Sequence, residues 1–217
     1  AQGPGVVAGV ASGHATNEDL FTFARFLDAL GVETRALATA RGASDDLLVK
    51  EEKAANGTGA RLLGFGEPDA LIDGIRGGGV RGLVLLGHDL LGGGRLSGAE
   101  ELAGLESLVL VDTATSPLVD VAHVVIPARH AAEKQGTLTN HAGRVQRVLP
   151  AVEPAFEALS EGDAVWRIAS AMGLEGFEGA WNARIVSKRM AEEVEAFSGR
   201  ELDAIGPEGE PGARGEG

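Results

Sequence analysis

Residues 5–11 (GVVAGVA) form an apolar, valine-rich run between glycine and serine, which predicts a buried strand. The segment SGHATNED follows. It offers Thr16 or Asn17 as a helix cap, with Glu18 and Asp19 in the first turn, where acidic groups suit the helix dipole. Leu20, Phe23, Phe26, Leu27 and Leu30 then recur at intervals of three and four, one face of a helix that Gly31 ends. Residues 32–38 predict a second strand. From 39 to 60 there is no period, so the pattern predicts a long surface loop with a helical turn at 45–53. Residues 67–76 predict a short helix with Leu71, Ile72 and Ile75 inward.

Residues 80–86 (VRGLVLL) are the clearest core strand. Ser97 predicts the cap of a helix through Leu105, with Glu100 three residues on as in a capping box. Residues 107–111 (SLVLV) are the next core strand, ending at Asp112. A short helix follows Thr115 or Ser116, with Pro117 at its first position, and a further strand at 123–126 is stopped by Pro127. Strands alternating with helices predict an α/β fold, a doubly wound, mainly parallel, Rossmann-like sheet with right-handed crossovers. Beyond Pro127 the chain turns polar and irregular. Ser160 caps a helix at 161–172 with Val165, Ile168, Ala169 and Met172 inward, and a second helix at 181–197 carries Ile185, Val186, Met190 and Val194. The expected organisation is an α/β domain at 1–150, C-terminal helices at 151–205 packed on it, and a disordered Gly/Pro/charged tail at 206–217.

Composition narrows the chemistry. The 217 residues include no cysteine, which excludes disulfides, thiolate-held metal or iron–sulfur clusters and a cysteine nucleophile within this chain. The formal net charge of −13 argues against binding nucleic acid through its phosphates. No apolar stretch reaches the roughly 18 residues of a membrane span, so direct membrane insertion is not expected. There are 33 glycines, about twice the usual share, without a collagen period.

GxGxxG, Walker A, HExxH and GxSxG motifs are all missing, and the five histidines lack metal-ligand spacing. What recurs is placement. Polar clusters at 12–18, 87–89 and 112–115 each follow a predicted parallel strand, and open α/β sheets bind ligands beyond the carboxyl ends of their strands. Asp112 is placed to accept from ribose hydroxyls or a guanine edge; equally, such residues serve as caps of the following helices.

Three segments in order carry a resemblance. Residues 132–154 (AEKQGTLTNHAGRVQRVLPAVEP) resemble the "EK-G-T-TN-EGRVQ…AV-P" signature of the molybdopterin oxidoreductase family. Residues 108–128 (LVLVDTATSPLVDVAHVVIPA) resemble its "D-…-T…ADVVLPA" segment, and 12–31 (SGHATNEDLFTFARFLDALG) its "TNEE…KF…LG" opening. The family includes molybdenum or tungsten enzymes such as formate dehydrogenases. It also includes the large iron–sulfur subunit of NADH:quinone oxidoreductase (respiratory complex I), understood to have lost the metal cofactor.

Residues 50–65 (KEEKAANGTGARLLGF) and 192–209 (EEVEAFSGRELDAIGPEG) are similar to segments of the complex I branch. Where many molybdoenzymes have GENP, this chain has Gly87-His88-Asp89-Leu90, and His141 stands where the family often has Glu or Asp. The resemblance implies a non-catalytic C-terminal portion of such a subunit, supporting electron transfer from NADH to quinone. It further implies iron–sulfur clusters upstream, complex I-type subunits as partners, and a peripheral place on the cytoplasmic side of the inner membrane. The alternative is a fragment of a formate dehydrogenase-like molybdoenzyme binding molybdopterin guanine dinucleotide. The residues of an inherited, vestigial pterin-nucleotide pocket would be Thr16, Asn17, Gly87, Asp112, Thr139 and Asn140; otherwise such residues tie the loop onto the sheet.

Overall fold

A computed structural model describes residues 6–45, 47–154 and 156–212. Five strands form one fully parallel sheet: β1 (Val7–Ser12), β2 (Arg35–Ala38), β3 (Gly82–Leu86), β4 (Ser107–Asp112) and β5 (Val124–Pro127), in the order β2-β1-β3-β4-β5. The chain leaves β1 toward one side for β2 and returns to the other side for β3. That reversal opens a crevice beyond the carboxyl ends of β1 and β3.

Alternating strand residues feed two cores. Ala8, Val10, Leu83, Leu85, Leu108 and Leu110 pack under α3 (Asp69–Arg76), with Leu71, Ile72 and Ile75 inward as its spacing predicts. Ala11, Leu86 and Val111 face the other layer, built from α1 (Asn17–Ala29), α4 (Glu161–Ala171) and α5 (Ala183–Glu193). Thr16 caps α1 in a reciprocal box with Asp19, and Ser160 caps α4 by accepting from the Asp163 N–H. The C-terminal helices thus lie on α1 and share its core.

Several expectations are corrected. Among the described residues of 45–53 there is no helical turn. The Asp45 carboxylate instead accepts the N–H groups of Leu47, Leu48 and Val49 at 2.7–2.9 Å, because an Asp side chain competes with the backbone for local donors. A helix forms later, α2 (Gly57–Leu62). Ser97 caps nothing: its region is a 3-10 turn (Ala99–Leu102), and the carboxylate that reaches its N–H belongs to Glu101, not Glu100. The segment after Pro117 is likewise a single 3-10 turn (Pro117–Asp120).

The stretch expected to be irregular holds an antiparallel hairpin, β6 (Gly136–Thr139) and β7 (Val145–Val148). Met172 and Ile185, expected inward, are 54% and 68% exposed, since Met172 is the C-cap residue past the end of α4 and Ile185 lies on the outer side of the first turn of α5, whose Val186 and Met190 face the core. The tail is ordered at its start. Glu210 pairs with Val145 through two backbone bonds, and the Arg144 guanidinium donates to the carbonyls of Glu208 and Gly209. Residues 213–217 lie outside the described part.

Candidate functional site

The crevice between β1 and β3 is a cleft of about 200 Å³. Strand ends supply its walls: Ser12 and His14 after β1, His88 and Asp89 after β3, Asp112 and Thr113 at the end of β4. Gly87 turns the chain at a φ of 70°, which sets His88 over Asp112. His130 and Lys134 close the cleft from the turn beyond β5, and Glu161 from the start of α4.

Each carboxylate here already has partners. Asp112, buried, accepts from His88 Nδ1 at 2.9 Å and from the N–H groups of Thr113 and Ala114 at 2.7 and 3.3 Å. Asp89 accepts from the Ser12 hydroxyl at 2.8 Å, and His14 Nε2 stands 4.0 Å from its other oxygen. Glu161 is ion-paired with the buried Lys134, whose ammonium also lies 4.0 Å from Asp19. Burial would lower the Lys134 pKa; the carboxylates of Glu161 and Asp19 more than offset this and hold it above the ordinary lysine range.

Behind the cleft lies a second, buried polar network that welds the hairpin to α1. Asn17 Nδ2 donates to the hydroxyls of Thr137 and Thr139 at 3.0 and 3.1 Å. The Glu18 carboxylate accepts the Thr137 N–H and hydroxyl at 2.7 and 2.9 Å. Asn56 accepts the Thr139 N–H at 2.7 Å and donates to the Ala15 carbonyl at 2.8 Å. All five side chains are fully or almost fully buried. Burial pushes the Glu18 carboxyl up to about 7, against the pull of its Thr137 bonds.

The six residues expected to form one pocket are not gathered around one cavity. Gly87 and Asp112 border the cleft. Thr139 and Asn140 border a separate, open groove of about 460 Å³ beside the 50–58 loop. Asn140 Oδ1 accepts the N–H groups of Ala142 and Arg144, so that side chain holds the hairpin turn. Thr16 and Asn17 are buried, Thr16 as the α1 cap and Asn17 within that network. His88 falls in the strand-end cluster at 87–89 that the sequence marks, whereas His130, Lys134 and Asn56 carry no local signal.

A pterin guanine dinucleotide needs unengaged donors and acceptors where its base and ribose lie. Here the Asp112 carboxylate is taken by three donors, while Asn17, Thr137 and Thr139 are consumed in pairing with each other and with Glu18 and Asn56. Of the six expected residues, Thr16, Asn17, Asp112 and Thr139 are thus engaged within the fold, and Asn140 holds the hairpin turn. Among the described residues, no cluster of three or more His, Asp or Glu side chains is arranged to hold a metal ion.

Comparison with known proteins gives the same family that the motifs suggest. The chain is 33% identical over 105 residues to a NADH-quinone oxidoreductase subunit of Pseudomonas putida, covering 47% of this chain and 11% of that protein. It is 40% identical over 97 residues to the alpha subunit of NADPH-Fe(3+) oxidoreductase of Geobacter sulfurreducens, covering 43% and 11%. It is 32% identical over 108 residues to the alpha subunit of F420-dependent formate dehydrogenase 2 of Methanococcus maripaludis, covering 50% and 16%. The matched part thus spans only 11–16% of the length of these relatives. The molybdopterin oxidoreductase family profile matches residues 52–172, more than half of the chain, and the chain belongs to that family.

Proposed function

We propose that this chain is a non-catalytic scaffold portion of a large iron–sulfur subunit of the NADH:quinone oxidoreductase type. It packs against parts of the assembly that carry the electrons from NADH to quinone. The observation that carries this reading is the buried network. The polar side chains of Asn17, Thr137 and Thr139 bond to each other and to Glu18 and Asn56, so they tie the hairpin to α1. Relatives named as NADH-quinone oxidoreductase subunits in three bacteria support it. On this reading the partners are other subunits of a complex I-type assembly, the iron–sulfur clusters lie in other parts of the subunit, and the place is peripheral, on the cytoplasmic side of the inner membrane. No helix among the described residues is long and apolar enough to cross a membrane. Elemental and pterin analysis of the purified full-length subunit tests the proposal. Iron without molybdenum, tungsten or pterin is expected; stoichiometric molybdenum or tungsten with pterin would overturn it.

A second reading, a portion of a formate dehydrogenase-like molybdoenzyme holding molybdopterin guanine dinucleotide, is favoured by the match to the Methanococcus protein over half of the chain. It predicts that guanosine diphosphate binds the folded chain; calorimetric silence on titrating GDP would count against it.

A further inference from the structure

Three parts of the fold converge on Asn56. Its Oδ1 accepts the Thr139 N–H of β6 at 2.7 Å, and its Nδ2 donates to the Ala15 carbonyl ahead of α1 at 2.8 Å. Its main-chain N–H donates to the Gly13 carbonyl at 2.8 Å, and its main-chain carbonyl accepts the Ala60 N–H of α2 at 3.0 Å. The residue is wholly buried, and each of its polar groups has a partner. Gly57 follows it, which makes the one Asn-Gly pair in the sequence. We propose that Asn56-Gly57 is a latent deamidation site gated by the hairpin: the reaction waits until β6 lifts away, and its product keeps the hairpin from closing again.

Asparagine before glycine is reactive because no side chain shields the glycine nitrogen or restricts the backbone around it. That nitrogen, once deprotonated, attacks the side-chain carbonyl carbon of asparagine. The bond to the amide nitrogen breaks, ammonia leaves, and a five-membered succinimide remains. Water then opens the ring at either carbonyl and gives aspartate or isoaspartate; water is the sole co-reactant and no electron moves. The fold holds this reaction off. Ring closure needs the Gly57 nitrogen turned to the side of Asn56 Cβ, and at a ψ of 26° it is turned nearly opposite, into the first turn of α2. The side-chain amide is pinned at both its oxygen and its nitrogen. Rotation into the reactive geometry therefore breaks the bond to Thr139 first. The product cannot restore what was broken. An aspartate carboxylate has no N–H to give to the Ala15 carbonyl, so two acceptors would face each other there. It also brings an unpaired charge into the buried network that holds Glu18, which is costly. Isoaspartate adds a methylene to the main chain and cannot keep both the Gly13 and the Ala60 bonds in place. The inference uses only Asn56, its bonds and the glycine after it, and does not rest on the scaffold reading.

The test is peptide mapping by mass spectrometry of the full 217-residue chain held in warm, mildly alkaline buffer, beside a free peptide of residues 52–60. Conversion at Asn56 should run at least about a hundredfold slower in the chain than in the peptide, as a rarely populated opening requires. Gly136→Ala, whose added carbon would crowd Glu18 and Thr16 under the hairpin, should speed it about five- to thirtyfold. Gly104→Ala, which touches nothing, should leave the rate as it is. Asn56→Asp installs one product directly and should melt at least about 5 °C below the parent. Parent chain converted by long incubation, and separated by its extra negative charge, gives the same comparison without a substitution. Equal rates in chain and peptide, or in Gly136→Ala and parent, would overturn the gate. A converted chain that melts with the parent would overturn the claim that the hairpin cannot close again. Either result would leave the scaffold reading intact.

Discussion

At Glu18, as at Glu161, burial pushes a carboxyl up to about 7. The Glu18 carboxyl is fully buried against Thr137. An acid with a raised folded-state pKa stabilises the fold below its unfolded value, and that advantage is lost as pH rises through the folded value. The fold should therefore weaken between about pH 4.5 and about pH 7, by up to about 3 kcal/mol if Glu18 acts alone. Glu18→Gln keeps an acceptor for the Thr137 N–H and cannot ionise. Denaturant titration should find the variant more stable than the parent at about pH 8 and close to it at about pH 5. The opposite order would remove Glu18 as the cause. The sequence places Glu18 in the first turn of a helix and in the strand-end cluster at 12–18, but not against Thr137, because that partner lies 119 residues away. Thr16 was legible for the converse reason: its box with Asp19 closes within three residues. Asp112 was legible as a strand-end acid, but its occupation by His88, 24 residues away, was not.

The central strands and longer helices were legible from their periods, because β1, β3 and β4 are apolar runs buried on both faces. The elements that escaped are short, and β6 and α2 carry glycine. β6 and β7 have four residues each, too few for alternation to show. The sequence did carry one usable sign, Asn140 followed three residues later by Gly143, the order of a three-residue hairpin loop. α2 escaped because Gly57 and Gly59 are poor helix formers, yet close approach requires them: a Cβ on Gly59 would lie 2.1 Å from Asn17 Oδ1. Gly136, where β6 begins, is held by the same constraint. A Cβ there would stand 2.6 Å from Glu18 Oε2 and 2.8 Å from Thr16 Cβ. Gly136→Ala should therefore lower stability by about 1–3 kcal/mol through overpacking. Gly104→Ala, with nothing within 4 Å of the added carbon, should change it by less than about 0.5 kcal/mol. Equal thermal shifts in the two variants would show that the hairpin is not clamped on α1 as described.

At the scale of the whole molecule, the C-terminal helices determine whether the chain unfolds in one step or two. Residue 150 looks like a boundary in sequence, since the apolar strands end before it and the helical pattern starts after it. The core runs across it. Val165, Ala169, Phe177, Val186, Met190 and Phe197 pack in one cluster with Leu20, Phe23 and Leu27 of α1. Lys134 reaches forward to Glu161, and the Asp19 carboxylate accepts the Gly162 N–H at 2.8 Å. Each large side chain in that layer contributes about 1.5–3 kcal/mol by leaving water. Several of them together rival the total stability of an ordinary domain, about 5–15 kcal/mol. The α/β part cannot lose its helices and keep α1 on the sheet, because the outer face of α1 would then be bare. Scanning calorimetry of the full chain should give a single transition with equal calorimetric and van't Hoff enthalpies. A chain cut after residue 150 should bind a hydrophobic dye and lack a cooperative transition. Two resolved transitions in the full chain, or a cooperative melt of the cut one, would mean that the sheet carries its own core and the helices only decorate it.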